Sequence, residues 1–400
     1  MRNLISLKEQ HGQRYLIYDF TDPLEGLKIL QDTKHLFLDA EIKPIVVIDA
    51  SFEGETGSYI GIIPNSPYHC DTSCGSGLGN TVDYSKSDHA GTFNVLRALH
   101  EIEAGLCEYD LDKTVLVYGD ANIEKNYLAW LKGIQDYHEI KIKKVFGKCI
   151  YGPETLMGKP IERSIIARQY IADKSFKPKH FICLNGTSKV HRFHMVELLF
   201  ANGWAEKGAI SWLNSGGPSL NTHGTSNLRT TNGKEDFTHF QAQTLELDYS
   251  SNEIDHSNQF NLPSQYNEAC FDIVTESVVD DRGIFITEKT WKPILNETPF
   301  IPLGPKHMCA HLRDHFGIKP YTDLFDYSFD NYDYPERLHK LKEDNLERLL
   351  NMDINELNEI INSDKMQELL AYNKKQLISN WASSMQPDCI INSVMTYFKR

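Results

Sequence analysis

The chain has 400 residues, 40% hydrophobic and 24% charged, an ordinary globular composition long enough for two domains or one large one. A formal charge of −14 removes any global attraction to nucleic acid or anionic lipid. No run approaches the roughly eighteen apolar residues of a membrane span, and MRNLISLKEQHGQ lacks a signal peptide's apolar centre, so a cytoplasmic protein is expected.

In chain order, RYLIYDF (14–20) reads as a strand, PLEGLKILQDTKHLF (23–37) as a helix and KPIVVIDA (43–50) as a strand. After a loop rich in Gly, Ser and Asp (51–88), AGTFNVLRALHEIEAG (90–105) has helical periodicity. KTVLVYGD (113–120) and IKIKKVFG (140–147) are further strands around a helix at NIEKNYLAWLKGI (122–134). The pattern pauses near 174–179, then restarts with the strand HFICLNG (180–186), the helix KVHRFHMVELLFANG (189–203) and AISWLNSGG (209–217). Residues 215–259 are polar and carry little periodicity, a length of loop that is usually functional or disordered. Strands return at CFDIVTES (270–277), IFITE (284–288) and TPFIPLG (298–304), and the last seventy residues or so are helical and acidic.

Alternating strands and helices predict an α/β fold with parallel sheets covered on both faces. Two successive units, 1–175 and 176–400, predict paired Rossmann-like domains facing a cleft, with a helical C-terminal tail whose last helix packs back on the first domain. Ligands in such sheets bind beyond the carboxyl ends of the strands, which points to loops 184–192 and 276–290.

The cysteines are scattered. Only Cys70 and Cys74 lie close, no second pair has zinc spacing, and no metal site is expected. The loop CGSGLGN (74–80) lacks the spacing of a dinucleotide fingerprint and reads as a flexible acceptor loop or a plain turn, and DLD (110–112) precedes a strand instead of following one and reads as a turn. Trp212 reads as core, with a sugar-stacking platform as the alternative.

Two stretches carry chemistry. LNGTSKVHRFHM ends a strand, turns at Gly186 and offers Thr187 or Ser188 as an N-cap. Lys189, His191 and Arg192 then crowd the positive end of the helix, where cations are unfavourable. A bound anion resolves the conflict, with Arg192 as a bidentate clamp; side chains pointing into water are the alternative. In TEKTWKPILNE a helix beginning at Thr290 keeps Pro293 in the first turn, where its missing N–H is no loss. Thr287, Glu288 and Lys289 become the connection, a carboxylate for ribose hydroxyls beside an ammonium for phosphate. A solvated Glu–Lys pair is the alternative.

ITEKTWKPILNETPFIPLG resembles the donor-binding motif of the α1,3-fucosyltransferase family, and KVHRFHMVELL is similar to that family's other donor segment. Phage-encoded proteins of unassigned acceptor carry much the same pair. The resemblance covers roughly 180–305. It implies an inverting GT-B glycosyltransferase with Arg192 and Lys289 on the diphosphate, Glu288 on the ribose, and Glu276 on the sugar or ribose; Lys189 joins them as a substrate-binding candidate from the helix start alone. Trp291-Lys292-Pro293 departs from the family's helical run, and no residue matches one that selects the base.

Such a transferase uses a nucleotide-diphosphate sugar as donor and no further cofactor. Positive side chains and a helix dipole, not a metal, stabilise its leaving group. It also needs an Asp or Glu base in the first half; Asp19, Asp49, Glu53 and Asp120 close predicted strands or follow them, with Asp120 the first choice. The acceptor is a glycan or small hydroxyl compound. A hydroxymethylated DNA base is kept open by KIKKVFGK (141–148) against the acidic net charge, and a non-catalytic nucleotide-sugar binder is the third reading.

Overall fold

The computed structural model describes residues 5–10, 12–19, 29–30, 32–50, 109, 111–118, 124, 148–151, 175–187, 189–215, 239–240, 245, 247, 263–277, 279, 284 and 286–384. They are mixed α/β, in two compact units, one within Met1–Leu156, Arg282–Phe285 and Ser384–Arg400 and the other within Met157–Asp281 and Ile286–Ser383. No helix among the described residues is long and apolar enough to cross a membrane.

The first unit is a five-stranded sheet in sequence order. Strand β1 (Ile5–Gln10) pairs antiparallel with β2 (Gln13–Asp19), and Gly12 at φ 76° supplies the left-handed residue of the turn between them. Strands β3 (Ile45–Ala50), β4 (Thr114–Tyr118) and β5 (Lys148–Tyr151) follow in parallel. Tyr15, Ile45, Val47, Val115 and Val117 pack on one face, while Leu16, Val46, Ile48 and Leu116 are also buried, as strands covered on both faces require. The short helix α1 (His35–Leu38) sets Phe37 edge-on against Tyr18 and Tyr109. The expected helix over 23–37 is described only from Ile29, and it breaks at Lys34. Leu111–Lys113, from the acidic triplet, is a 3-10 turn leading into β4. Cys70, Cys74, Glu53, Asp120, the helix at 90–105 and the strand at 140–147 lie outside the described residues.

The second unit is built on four parallel strands in the order β7-β6-β8-β9. These are β6 (Lys179–Thr187), β7 (Gly208–Ser215), β8 (Ala269–Thr275) and β9 (Phe300–Leu303). Every residue of β8 and β9 is buried, which explains their largely apolar sequences; the exceptions in β8 are Asp272 and Thr275. Helix α2 (Val190–Ala201) connects β6 to β7, and α3 (Glu288–Leu295) precedes β9. Trp212 is core as expected, 1% exposed and edge-on to Phe193 and Phe240.

The tail comprises α4 (Met308–Phe316), α5 (Glu336–Leu341), α6 (Glu347–Asn351), α7 (Ile354–Asn362) and α8 (Asp364–Ser384). Asparagine side chains seat it on its own unit by mimicking a backbone pair. Asn358 exchanges bonds of 2.8 and 2.9 Å with the Lys177 backbone, and Asn373 does the same with Lys319.

On β7, Gly208 lies directly beneath the Phe181 ring of β6, and a Cβ there would fall 2.4 Å from the ring. Phe181 is fully buried and has nowhere to move. Gly208→Ala is therefore expected to destabilise the second unit by about 1–3 kcal/mol, read as a lower denaturant midpoint.

Candidate functional site

Strand order places a crevice in the second sheet. From β6 the chain crosses to β7 on one side, whereas β8 lies on the other side and leads to β9. Neighbouring strands whose connections diverge leave a gap at their carboxyl ends, the usual ligand position in open α/β sheets. Here β6 and β8 are hydrogen-bonded in register only as far as Ile182 and Asp272. Beyond that the Thr275 hydroxyl reaches across to the Asn185 amide oxygen at 2.7 Å, forming a polar floor. The loops singled out from the sequence, 184–192 and 276–290, border this gap. In the first sheet the described strands run in sequence order, without such a reversal.

Glu276 follows β8 and is fully buried. Its carboxylate accepts four hydrogen bonds: from the Ser277 N–H (3.0 Å), the Thr287 N–H (3.1 Å), the Thr287 hydroxyl (2.6 Å) and the Thr290 hydroxyl (2.6 Å). These fill the lone pairs of both oxygens. Sequence reasoning expected Glu276 to meet a sugar or ribose; its carboxylate is instead committed to the chain, anchoring the Thr-Glu-Lys segment to the end of β8. Among the described residues of 284–288 none is in a strand, and Glu288 opens a helix; the same bonds draw Thr287 across the end of β8 instead of into a ladder.

The helix start differs as well. Helix α3 begins at Glu288, not Thr290, because Thr287 is its N-cap and accepts from the Lys289 N–H at 3.4 Å. Pro293 consequently lies inside the helix and cannot donate to the Lys289 carbonyl. The three bonds from Thr287 and Thr290 to Glu276 fix the first turn despite this loss.

On the other side of the crevice, the N-cap of α2 is Lys189, in extended conformation and without a side-chain cap. Thr187, one of the two expected caps, is the last residue of β6. His191 and Arg192 turn inward, and both reach the Glu276 carbonyl, His191 through Nε2 at 2.7 Å and Arg192 through Nη2 at 3.2 Å. A carbonyl only accepts, so Nε2 carries the imidazole proton. Burial first, then the neighbouring Arg192 charge, pushes the His191 pKa well below its usual value, and the ring is neutral. Arg192 is only 2% exposed, which makes it a charge set into the wall and not the open clamp expected.

The half-buried cations are the two lysines. Lys189 Nζ donates to the Ser277 carbonyl at 2.9 Å. Lys289 Nζ lies 3.3 Å from both the Ser277 and Thr287 hydroxyls and 2.8 Å from Glu288 Oε1. Burial opposes ionisation of Glu288, but Lys289 and Lys292 outweigh it and hold the carboxyl at about 2. Burial lowers Lys292 to about 8 despite Glu288. Cationic groups from two loops thus converge on two consecutive residues, Glu276 and Ser277.

Sequence reasoning missed Arg337. It is fully buried and donates to the carbonyls of Gly304 and of Val279 (3.1 Å) through Nη1, and to Tyr332 (2.9 Å) through Nε. It therefore ties the segment after β8 to the end of β9. An Arg within ERLHKL carries no local sign of this role. Asp120 lies outside the described residues.

No protein-family model, curated protein or solved structure matches the chain.

Replacing Glu276 with Gln exchanges two acceptor lone pairs for an amide that faces donors. The expected cost is about 2–3 kcal/mol, against about 1 kcal/mol for Thr290→Val, both from chemical denaturation. The Glu288 carboxyl sits at about 2 in the fold against an ordinary 4.5. Its contribution to stability is accordingly complete above pH 4.5 and lost as the pH falls through 2. Native protein is expected to lose stability across that window more steeply than Glu288→Gln in denaturation curves at stepped pH.

Proposed function

We propose that the chain is an inverting glycosyltransferase of the GT-B class, moving a sugar from a nucleotide-diphosphate donor to an acceptor hydroxyl. The observation that carries the proposal is the convergence of Lys189, Arg192 and Lys289 on Glu276 and Ser277, beside the switch point between β6 and β8. The two helix ends at the crevice are unlike. That of α3 is closed by Thr287 over a buried carboxylate, whereas that of α2 has no side-chain cap, and its first N–H groups suit an anion.

In this proposal the diphosphate lies at the first turn of α2 between Lys189 and Lys289, with Arg192 adding charge from within the wall. Glu288, ionised and 22% exposed, accepts from the ribose hydroxyls. As the bond to the anomeric carbon breaks, charge accumulates on the diphosphate. Preorganised cations and a helix dipole stabilise that charge more than they stabilise the ground state. A glycan or small hydroxyl compound is the proposed acceptor.

A thermal-shift panel of GDP, UDP and CDP and their sugars tests the reading. A true ligand at a hundred times its dissociation constant adds about 2.7 kcal/mol of stability. Lys189→Ala and Lys289→Ala are each expected to weaken that ligand about tenfold or more, about 1.4 kcal/mol, with the apo protein still folded. The lysines are the informative targets, since loss of Arg192 would also remove a buried bond to the Glu276 carbonyl. Unchanged affinity in both variants would exclude the diphosphate site.

A further inference from the structure

Glycine loses more conformational freedom on folding than any other residue, so in an ordered segment it answers a need that a side chain cannot meet. The other described glycines answer needs of the chain itself. Gly12, Gly203 and Gly317 adopt φ of 76°, 69° and 69°, the left-handed region. At Gly208 a Cβ would strike the Phe181 ring, and at Gly304 it would strike the Met308 sulfur. Gly186, near the end of β6, meets neither need. Its φ is not left-handed, and a Cβ built on it has no described atom within 4 Å. The register shift between β6 and β7 at this point does not require glycine either, since a bulge does so only where φ is positive. The fold has room for a side chain at 186, and the sequence provides none.

Strand register puts Gly186 at the crevice. Ile182 pairs with Asp272, so counting on sets Asn185 level with Thr275 and Gly186 level with Glu276. The bond of 2.7 Å from the Thr275 hydroxyl to the Asn185 amide oxygen agrees with that count. Alternation along the strands gives the direction. Asn185 faces α2, because its register partner Trp212 packs edge-on against Phe193. Leu184 faces the opposite side, packed with Ile182 and Tyr266, and Gly186 shares that side. On β8, Asp272 accepts from the Tyr266 hydroxyl on the same side, and Glu276, four residues on, follows it. The Glu276 carboxylate there bonds Thr287 and Thr290 at the start of α3. Gly186 and the start of α3 therefore border one opening, the first from β6 and the second from beyond β8.

In the donor reading the diphosphate lies at the start of α2 and the ribose at Glu288, the first residue of α3. The bonds joining them cross from one face of the sheet to the other, over the ends of β6 and β8. On the β6 side that crossing passes over Gly186. We propose that the ribose–phosphate link of the nucleotide rests directly on the Gly186 backbone, and that residue 186 governs nucleotide entry by its size; this rests on the nucleotide-donor reading. A methyl group at 186 would take the volume of a ligand atom in contact with the bare backbone. The effect is steric and separate from the lysine charges.

The test compares Gly186→Ala, Gly186→Val and Lys189→Ala with native protein, using whichever of GDP, UDP or CDP shifts the native melting temperature. Without nucleotide, Gly186→Ala is expected to unfold at a denaturant midpoint equal to or above native, because a Cβ is accommodated and the unfolded chain loses freedom. Nucleotide affinity is expected to fall about tenfold in Gly186→Ala and about a hundredfold or more in Gly186→Val. That fall should be equal at low and high salt, whereas the loss in Lys189→Ala should shrink as salt screens its charge. Native affinity in both Gly186 variants, or a lower denaturant midpoint in Gly186→Ala, overturns the proposal and leaves the transferase reading standing. Absence of any nucleotide shift in native protein removes that reading and the proposal with it.

Discussion

Burying a carboxylate is costly unless every lone pair finds a donor, and Glu276 meets that condition entirely from its own chain. The consequence reaches beyond one side chain. Its carboxylate holds the first turn of α3, while its carbonyl receives His191 and Arg192 from α2. One residue therefore joins the two loops that border the crevice, by side chain on one side and by backbone on the other. Ser277, next in the chain, is thereby presented to Lys189 and Lys289. Without the Glu276 anchor the lysines would have no fixed common target.

The positive end of α2 would ordinarily reject so much basic character. Two features make it tolerable. The buried His191 is neutral, because burial and the Arg192 charge both oppose its protonation. Arg192 spends a donor on the Glu276 carbonyl, where the backbone dipole faces it. What remains at the opening is Lys189, stretched across to Ser277. At α3 the opposite arrangement holds, a carboxylate beneath the helix end and an ionised Glu288 in its first turn. The two helix ends differ in the fold because the Glu276 carboxylate serves one of them only.

The strands that sequence reading found were those buried on both faces. The centres of RYLIYDF, KPIVVIDA, HFICLNG and CFDIVTES are largely apolar because most of their described residues are buried. Strand β1, ISLKEQ, was missed because it is an edge strand with polar residues and no apolar run. The opposite error arose at IFITE. Ile286 is 2% exposed, so its apolar character is real, but it reports burial and not strand geometry. Periodicity over five residues cannot separate a short buried strand from a buried connection whose backbone is held by a distant carboxylate.

Lys189 and Arg192 were legible because basic residues at the start of a helix contradict a local rule, and a local contradiction can be seen in one sequence. Glu276 and Arg337 contradict nothing locally. Their roles come from partners at a distance: Thr287 and Thr290 for one, Val279 and Gly304 for the other. This divides the site by its physics. Glu276, Arg192 and Arg337 are buried groups whose loss leaves unsatisfied partners, so their energetic weight falls on the fold. Lys189 and Lys289 are half-buried, with solvent available to replace what they now touch, so their weight falls on whatever anion comes between them. A grip formed by removable cations over a scaffold of committed ones can change its ligand without changing its fold.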